Sequence, residues 1–309
     1  MGQPAHVKIA GSHNRLLYGA IGIGAIAVLE AATGLLAHSL ALLGDSGHLL
    51  TDVATLVLTW WAMRQGHRRA TARHTYGFHR GEILAATVNA ALLLAVTAAV
   101  VIGSFLRLGS PTAVSTTPVL VVAFLALIVN VAIVVAIQGT GPGLGIKAVL
   151  LHAATDALGS VTVIVSSLLI ILTGYERFDA IASLIIACLI AAGAYRILKT
   201  ATAVLLEATP GDIRTEQIQT LLLAQPGIIG LHDLHVWSLD TTHRALSAHL
   251  VLSDMTLAQA DNILVEIGQL LCQQFQIDHT TLQPESASCI ADPPLYCNLE
   301  QSHMHTHPA

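Results

Sequence analysis

The sequence predicts an α-helical membrane protein in which six transmembrane helices precede a cytoplasmic α+β domain. Three observations predict it: an apolar composition, apolar runs recurring at membrane-spanning length up to about residue 200, and a change to short amphipathic segments near residue 207. Of 309 residues, 54% are hydrophobic and 11% charged, with a mean hydropathy of +0.68, which is too apolar for an ordinary soluble protein.

The apolar runs lie near 15–36, 41–63, 82–106, 117–138, 147–173 and 180–200. Each is about 20 residues or more, the length a helix rising about 1.5 Å per residue needs to cross a hydrocarbon core of about 30 Å. The first run is too long for a signal-peptide core and is read as a transmembrane helix. Basic residues close to helix ends stay on the cytoplasmic side. Lys8 and Arg15 precede the first span, Arg64, Arg68, Arg69, Arg73 and Arg80 crowd the 64–81 loop, and Lys147, Arg196 and Lys199 join that side. Only Arg107 and Arg177 fall opposite, so both termini and the 64–81 loop are expected in the cytoplasm. The net charge of −5 comes mostly from residues after 206 and gives no support to nucleic-acid binding. Of the four cysteines, Cys188 falls in the sixth span, Cys272 in a predicted helix, and Cys289 and Cys297 in the tail, where reduced thiols suit a cytoplasmic C-terminus.

The expected division is a cytoplasmic segment at 1–14, a transport domain at 15–206, a soluble domain at 207–286 and a flexible tail at 287–309. Pro210 and Gly211 mark the break. Residues 212–225 suit a helix with Asp212 as N-cap, two strands follow around a turn at "DTTH", 256–275 reads as a second helix and 279–285 as a third strand. That order is consistent with a ferredoxin-like layer of helices on an antiparallel sheet. The tail carries His303, His305 and His307, either a collector of metal ions or an unstructured polar end.

The second span, "LLGDSGHLLTDVATLVLTWWAMR", places Asp45, His48 and Asp52 among apolar residues. His48 and Asp52 are four apart and share a helix face. His152 and Asp156 repeat that spacing in the fifth span. Two such pairs on facing helices supply two imidazole nitrogens and two carboxylate oxygens, a tetrahedral zinc ligand set. An ionisable group at mid-bilayer costs about 2.5–3.5 kcal/mol on insertion scales and usually marks an ion pathway or a proton relay. The bland alternatives are interhelical hydrogen bonds and snorkelling side chains, less natural for two matching pairs than for one. Asp45 reads as a helix N-cap or an ion-entry residue. Glu30, Asn89 and Asn130 are polar residues in other spans, read as interhelical packing polarity or as orienting partners of the ligands.

The stretches "SLALLGDSGHLLTDV", "HTYGFHRGEILAATVNA", "LHAATDALGSV" and "LHDLHVWSL" closely resemble the cation diffusion facilitator family, in its bacterial zinc-transporter branch, over about residues 15–286. The resemblance implies a homodimer that exports zinc in exchange for protons across a bacterial inner membrane, through a transport site of His48, Asp52, His152 and Asp156. Members with Asp in place of the first His are broader in metal choice, so His48 argues for zinc, with cadmium or cobalt as lesser substrates. Relatives also hold zinc in the loop corresponding to His67, His74 and His79, where no acidic partner precedes Glu82 here, and this favours a structural or shuttling role. In the soluble domain the resemblance implies a regulatory zinc at His235, His249 and His279, assisted by Asp233 or His232, the alternative being ordinary strand-edge histidines. The "TTLQPE" end of the third strand lacks the His-x-Asp pair of some relatives.

Metal ligation by His and Asp competes with protons, so proton antiport follows naturally from such a site. A membrane metalloenzyme is disfavoured, because the two pairs fill all four tetrahedral positions and no H-E-x-x-H motif occurs. A membrane-anchored metal sensor is disfavoured because nothing resembling a signalling module follows residue 286. Zinc is therefore expected as substrate and regulatory ligand, with no cofactor.

Overall fold

In lipid a long apolar run satisfies its backbone polar groups only by turning them inward, as a helix does. The structure, a computed structural model, describes residues 12–66, 70–137, 144–286 and 295–296. Among these residues the N-terminal part forms α1 (Ser12–Leu36), α2 (Leu40–Gly66), α3 (Arg80–Gly109), α4 (Thr116–Ile137), α5 (Leu144–Thr173) and α6 (Arg177–Leu205). Pro118 is tolerated in α4 because it falls in the first turn, where its missing N–H breaks no helical bond. Arg80–Gly109, Ala153–Thr173 and Arg177–Leu205 are long and apolar enough to cross a membrane, and Ile21–Leu36 and Thr116–Ala132 are shorter apolar stretches.

The sharp turn between α1 and α2 is built by His38, in the left-handed region at φ 57°, and by Ser39, whose Oγ accepts from Leu42 N at 3.2 Å. Ser39 is thus the N-cap of α2. Asp45 lies inside the helix and is 4% exposed, which removes the N-cap reading for it. Ser39 Oγ also donates to Asp179 Oδ1 (2.5 Å), and Asp179 accepts from Leu40 N (2.8 Å) and sits 3.5 Å from Arg107. This buried carboxylate ties the start of α2 to the end of α3 and the start of α6.

The chain divides into two compact units, Met1–Trp61 with Ala85–Leu198, and Ala62–Leu84 with Lys199–Ala309. The second unit contains α7 (Thr215–Leu223), β1 (Ile228–Ser238), β2 (Arg244–Leu252), α8 (Leu257–Phe275) and β3 (His279–Ser286). The expected cap at Asp212 does not form. Arg214 precedes α7 without a side-chain cap, and Asp212 instead pairs with Arg244 at 2.8 Å. α8 carries the full capping box that its sequence encodes, Thr256 with Gln259.

The sheet runs β1-β2-β3, with β1 antiparallel to β2 but β3 parallel to it, so it is mixed where an antiparallel sheet was expected. The reason is the crossover: α8 carries the chain back along the sheet, so β3 starts at the same end as β2. Ile218, Leu222, Leu234, Leu246, Leu250, Ile267, Leu271 and Ile277 fill a core between the sheet and the two helices. Burying each such side chain fully is worth about 1.5–3 kcal/mol. Part of the expected free tail docks here, since Leu295 O accepts from Leu234 N (2.9 Å), its side chain packs on this core, and the Tyr296 hydroxyl lies 2.7 Å from Thr215 Oγ1. His303, His305, His307, Cys289 and Cys297 lie outside the described residues.

Candidate metal sites

Within the first unit, α2 presents His48 and Asp52 one turn apart, and α5 brings Asp156 against them. His48 Nε2 is 3.7 Å from Asp52 Oδ2 and 3.5 Å from Asp156 Oδ1, and one ligand atom from each of the three lies within 4.8 Å of the others. Asp156 is only 5% exposed. His152 lies on α5 one turn before Asp156, and its side chain is outside the described residues. Three of the four residues expected from the paired spacing therefore converge, from two helices, on a point small enough for one ion.

Close helix approach makes this convergence possible. A Cβ on Gly159 would lie 2.7 Å from Asp45 Oδ1, and one on Gly47 would lie 2.9 Å from Val96 Cγ1. A side chain at either position would force Asp45 or Val96 to shift, so glycine favours the close approach of α5 to the Asp45 carboxyl and of α2 to α3. Asp45 is within electrostatic reach of His48, Asp52 and Asp156. Glu30 of α1, fully buried and without a hydrogen bond to either carboxylate oxygen among the described residues, is within reach of Asp45 and Asp156. Asp45, Asp52 and Asp156 gather near His48 among the described residues, with Glu30 beside Asp45 and Asp156, and a bound dication would offset the desolvation of its ligands. Asn89 and Asn130 are buried.

A second cluster lies on the sheet of the C-terminal domain. His232 pairs with His249 across β1 and β2, their rings 4.9 Å apart, and Glu285 of β3 reaches both: Oε2 is 2.9 Å from His232 Nε2 and Oε1 is 2.8 Å from His249 Nδ1. Burial pushes the Glu285 carboxyl up, but the His232 hydrogen bond and the nearby His232 and His249 outweigh it and hold Glu285 below its ordinary value. This set differs from the expected trio of His235, His249 and His279. His279 pairs with Ala245, four residues along β2 from His249, or about 13 Å at about 3.3 Å per residue. It is exposed and meets Tyr76 edge-on instead. A bulge between His232 and His235, with Asp233 at φ 53°, separates those two histidines. His235 is exposed and bonds Asp233 (3.2 Å), which itself lies 3.6 Å from His249 Nε2. The expected assistants, His232 and Asp233, are thus at the centre and edge of the cluster. Glu285, which sequence reasoning missed, stands two residues past Gln283, the partner of His249, and so on the same sheet face.

A chain of apolar helices that gathers His and Asp in its buried interior has the composition of a membrane transporter for metal cations. A family model described as the cation efflux transmembrane domain matches residues 16–206, and one described as the cytoplasmic domain of the cation efflux protein matches residues 210–287. The chain belongs to the cation diffusion facilitator family, integral membrane transporters that export divalent metal cations. It is similar to the cadmium, cobalt and zinc/H(+)-K(+) antiporter of Bacillus velezensis, 33% identical with 98% of each chain covered. It is also similar to the zinc transporter ZitB of Pectobacterium atrosepticum, 34% identical over 96% of this chain and 92% of the relative. Among solved structures, the metal-bound C-terminal domain of the CzcD transporter from Cupriavidus metallidurans matches 24% of this chain and 99% of its own, at 33% identity and a TM-score of 0.22.

Proposed function

We propose that this protein is a zinc/proton antiporter that moves zinc out of the cytoplasm through a tetrahedral site of His48, Asp52, His152 and Asp156, with cadmium and cobalt as lesser substrates. The observation that carries the reading is the convergence of His48, Asp52 and Asp156 from α2 and α5 in a buried, carboxylate-rich interior. His152, one turn from Asp156, completes the set by spacing. Neutral imidazole and ionised carboxylate bind the ion, and protons compete for the same atoms, so metal leaving to the exterior is replaced by protons that reset the site. Two conformations exposing one site to either side complete the cycle.

The transport domain, residues 15–206, crosses the membrane six times, and residues 207–286 form a ferredoxin-like domain in the cytoplasm with both termini. The clustering of Arg and Lys on one set of loops supports that orientation. The protein works as a homodimer in a bacterial inner membrane, and the His232, His249 and Glu285 cluster holds a regulatory zinc.

The test is zinc uptake into proteoliposomes under an imposed pH gradient, comparing wild type with the His48→Ala, Asp156→Ala double variant. Gradient-driven uptake in wild type that the variant lacks is the expected result. Zinc binding without flux in either gradient direction would replace the antiporter with a sensor.

A further inference from the structure

Within the first unit, the turns at one end of the helices are tied together. The carboxylate of Asp179, at the start of α6 and 3% exposed, accepts from Ser39 Oγ (2.5 Å) and Leu40 N (2.8 Å) at the start of α2 and lies 3.5 Å from Arg107 at the end of α3. Arg107 also donates to His38 O. Three residues before Asp179, Glu176 Oε2 accepts from Val114 N (3.1 Å), and Ser115 N donates to Ala37 O (3.0 Å). The α1–α2, α3–α4 and α5–α6 turns are thereby joined around one buried carboxylate.

Solvent reaches the ion-binding face of α2 from the other direction. Positions 41, 45, 48 and 52 recur at intervals of three and four and so share one helix face. Along that face exposure rises from 0% at Ala41 and 4% at Asp45 to 14% and 18% for the side chains of His48 and Asp52. Ala37, Ala41, Leu42, Val114, Val119 and Ile186 belong to one buried apolar cluster, so the tied end is closed by packing as well as by bonds.

We propose that Asp179 locks this end of the transport pathway, and that an ion held at His48, Asp52 and Asp156 leaves toward it only once the start of α2 has come away from Asp179. The inference deepens the antiporter reading and rests on its two conformations, the structure being the one closed at the Asp179 end. Asp179 touches no ion and acts through α2, as a positioning residue. It grips the first turn of the helix that carries His48 and Asp52, so a movement that frees Ser39 and Leu40 also moves two ligands. The bonds suit a lock because they are charge-assisted and converge on one carboxylate, so they hold strongly and part together.

The experiment reads cysteine reactivity in membrane vesicles, with the four native cysteines replaced by serine. Labelling of Ser110→Cys, at an exposed position after α3, reports which vesicle face the Asp179 end meets. From that face an impermeant maleimide is applied to Ser46→Cys, at a 2% exposed position between the lock and His48. From the opposite face it is applied to Thr55→Cys, at a partly exposed position about one turn beyond Asp52. Asp179→Ala is expected to speed Ser46→Cys labelling about 10- to 100-fold, the factor that a lost charge-assisted bond makes in the closed-to-open ratio, without speeding Thr55→Cys labelling. Arg107→Met leaves Ser39 and Leu40 bonded to Asp179, so it should give a smaller rise, and it carries the test where Asp179→Ala does not fold. Unchanged Ser46→Cys labelling in the folded variants, or labelling that rises at both ends together, would overturn the lock and leave Asp179 as a structural tie. Reactivity requires no zinc flux, and Ser110→Cys selects the face, so failure of the antiporter reading or of its orientation would be seen separately.

Discussion

Gly159→Ala places one methyl group where the structure allows none. Its Cβ would stand 2.7 Å from Asp45 Oδ1 and 3.3 Å from Asp45 Cγ, where a carbon and an oxygen normally keep about 3.2 Å or more. The overlap of about 0.5 Å has no easy outlet, because Asp45 is 4% exposed within α2. Overpacking of this kind costs about 1–3 kcal/mol. Relief by separating α2 from α5 pulls Asp156, three residues before Gly159, away from its 3.5 Å approach to His48. If that strain falls on the ion-binding geometry, zinc affinity drops about 5- to 150-fold at about 1.4 kcal/mol per tenfold. The assay is zinc titration by calorimetry on purified protein, paired with proteoliposome uptake. An Asp45→Ala background supplies the control: with the carboxylate gone the clash goes too, so Gly159→Ala should then cost little more, a strongly non-additive cycle. Wild-type affinity and flux in Gly159→Ala, or strictly additive effects, would refute the close-approach account of the site.

Three further outcomes are expected. Asp52→Ala and Asp156→Ala should each abolish proteoliposome zinc transport while helical content by circular dichroism stays at the wild-type level, and a wild-type rate in Asp156→Ala would remove it from the ligand set. Truncation after residue 286 should leave the transport step largely intact, yet lower the stability of the C-terminal domain by about 1–3 kcal/mol, because Leu234 N loses its acceptor Leu295 O; chemical denaturation measures this. Glu285 has a folded pKa below its ordinary value, so its stabilising contribution is present above that ordinary value and is lost as pH falls through the lower folded one. Glu285→Gln should therefore flatten the acid limb of the domain's stability profile, and an unchanged acid limb would show that the His232 and His249 contacts contribute nothing.

The sequence alone carried the apolar helices and the His48–Asp52 pair of α2, and the reason is local. A run of about 20 apolar residues has one backbone solution in lipid, and a spacing of four has one meaning on a helix, so the approach of His48 to Asp52 was legible without a fold, and the same spacing is the ground on which His152 is proposed beside Asp156. The helix at 256–275 was legible from its apolar period, whereas its Thr256–Gln259 capping box came to light only in the structure. Where a local signal had two outlets the structure chose: Asp45 and Asp212 both look like caps, yet Ser39 caps α2 and Asp212 goes to Arg244.

What only the tertiary structure decided are contacts set by register and by chain closure. Glu285 reaches His232 and His249 because β3 lies parallel to β2 in one register, and sliding it to bring His279 beside His249 would need four residues. Asp240 meets His79 across 161 residues, a pairing that no periodicity encodes. The depth at which Gly159 seats the Asp45 carboxylate likewise depends on how two helices cross. Local geometry repeats with a period that can be read along the chain, whereas these meetings are fixed by packing between segments, which a single sequence carries without any period.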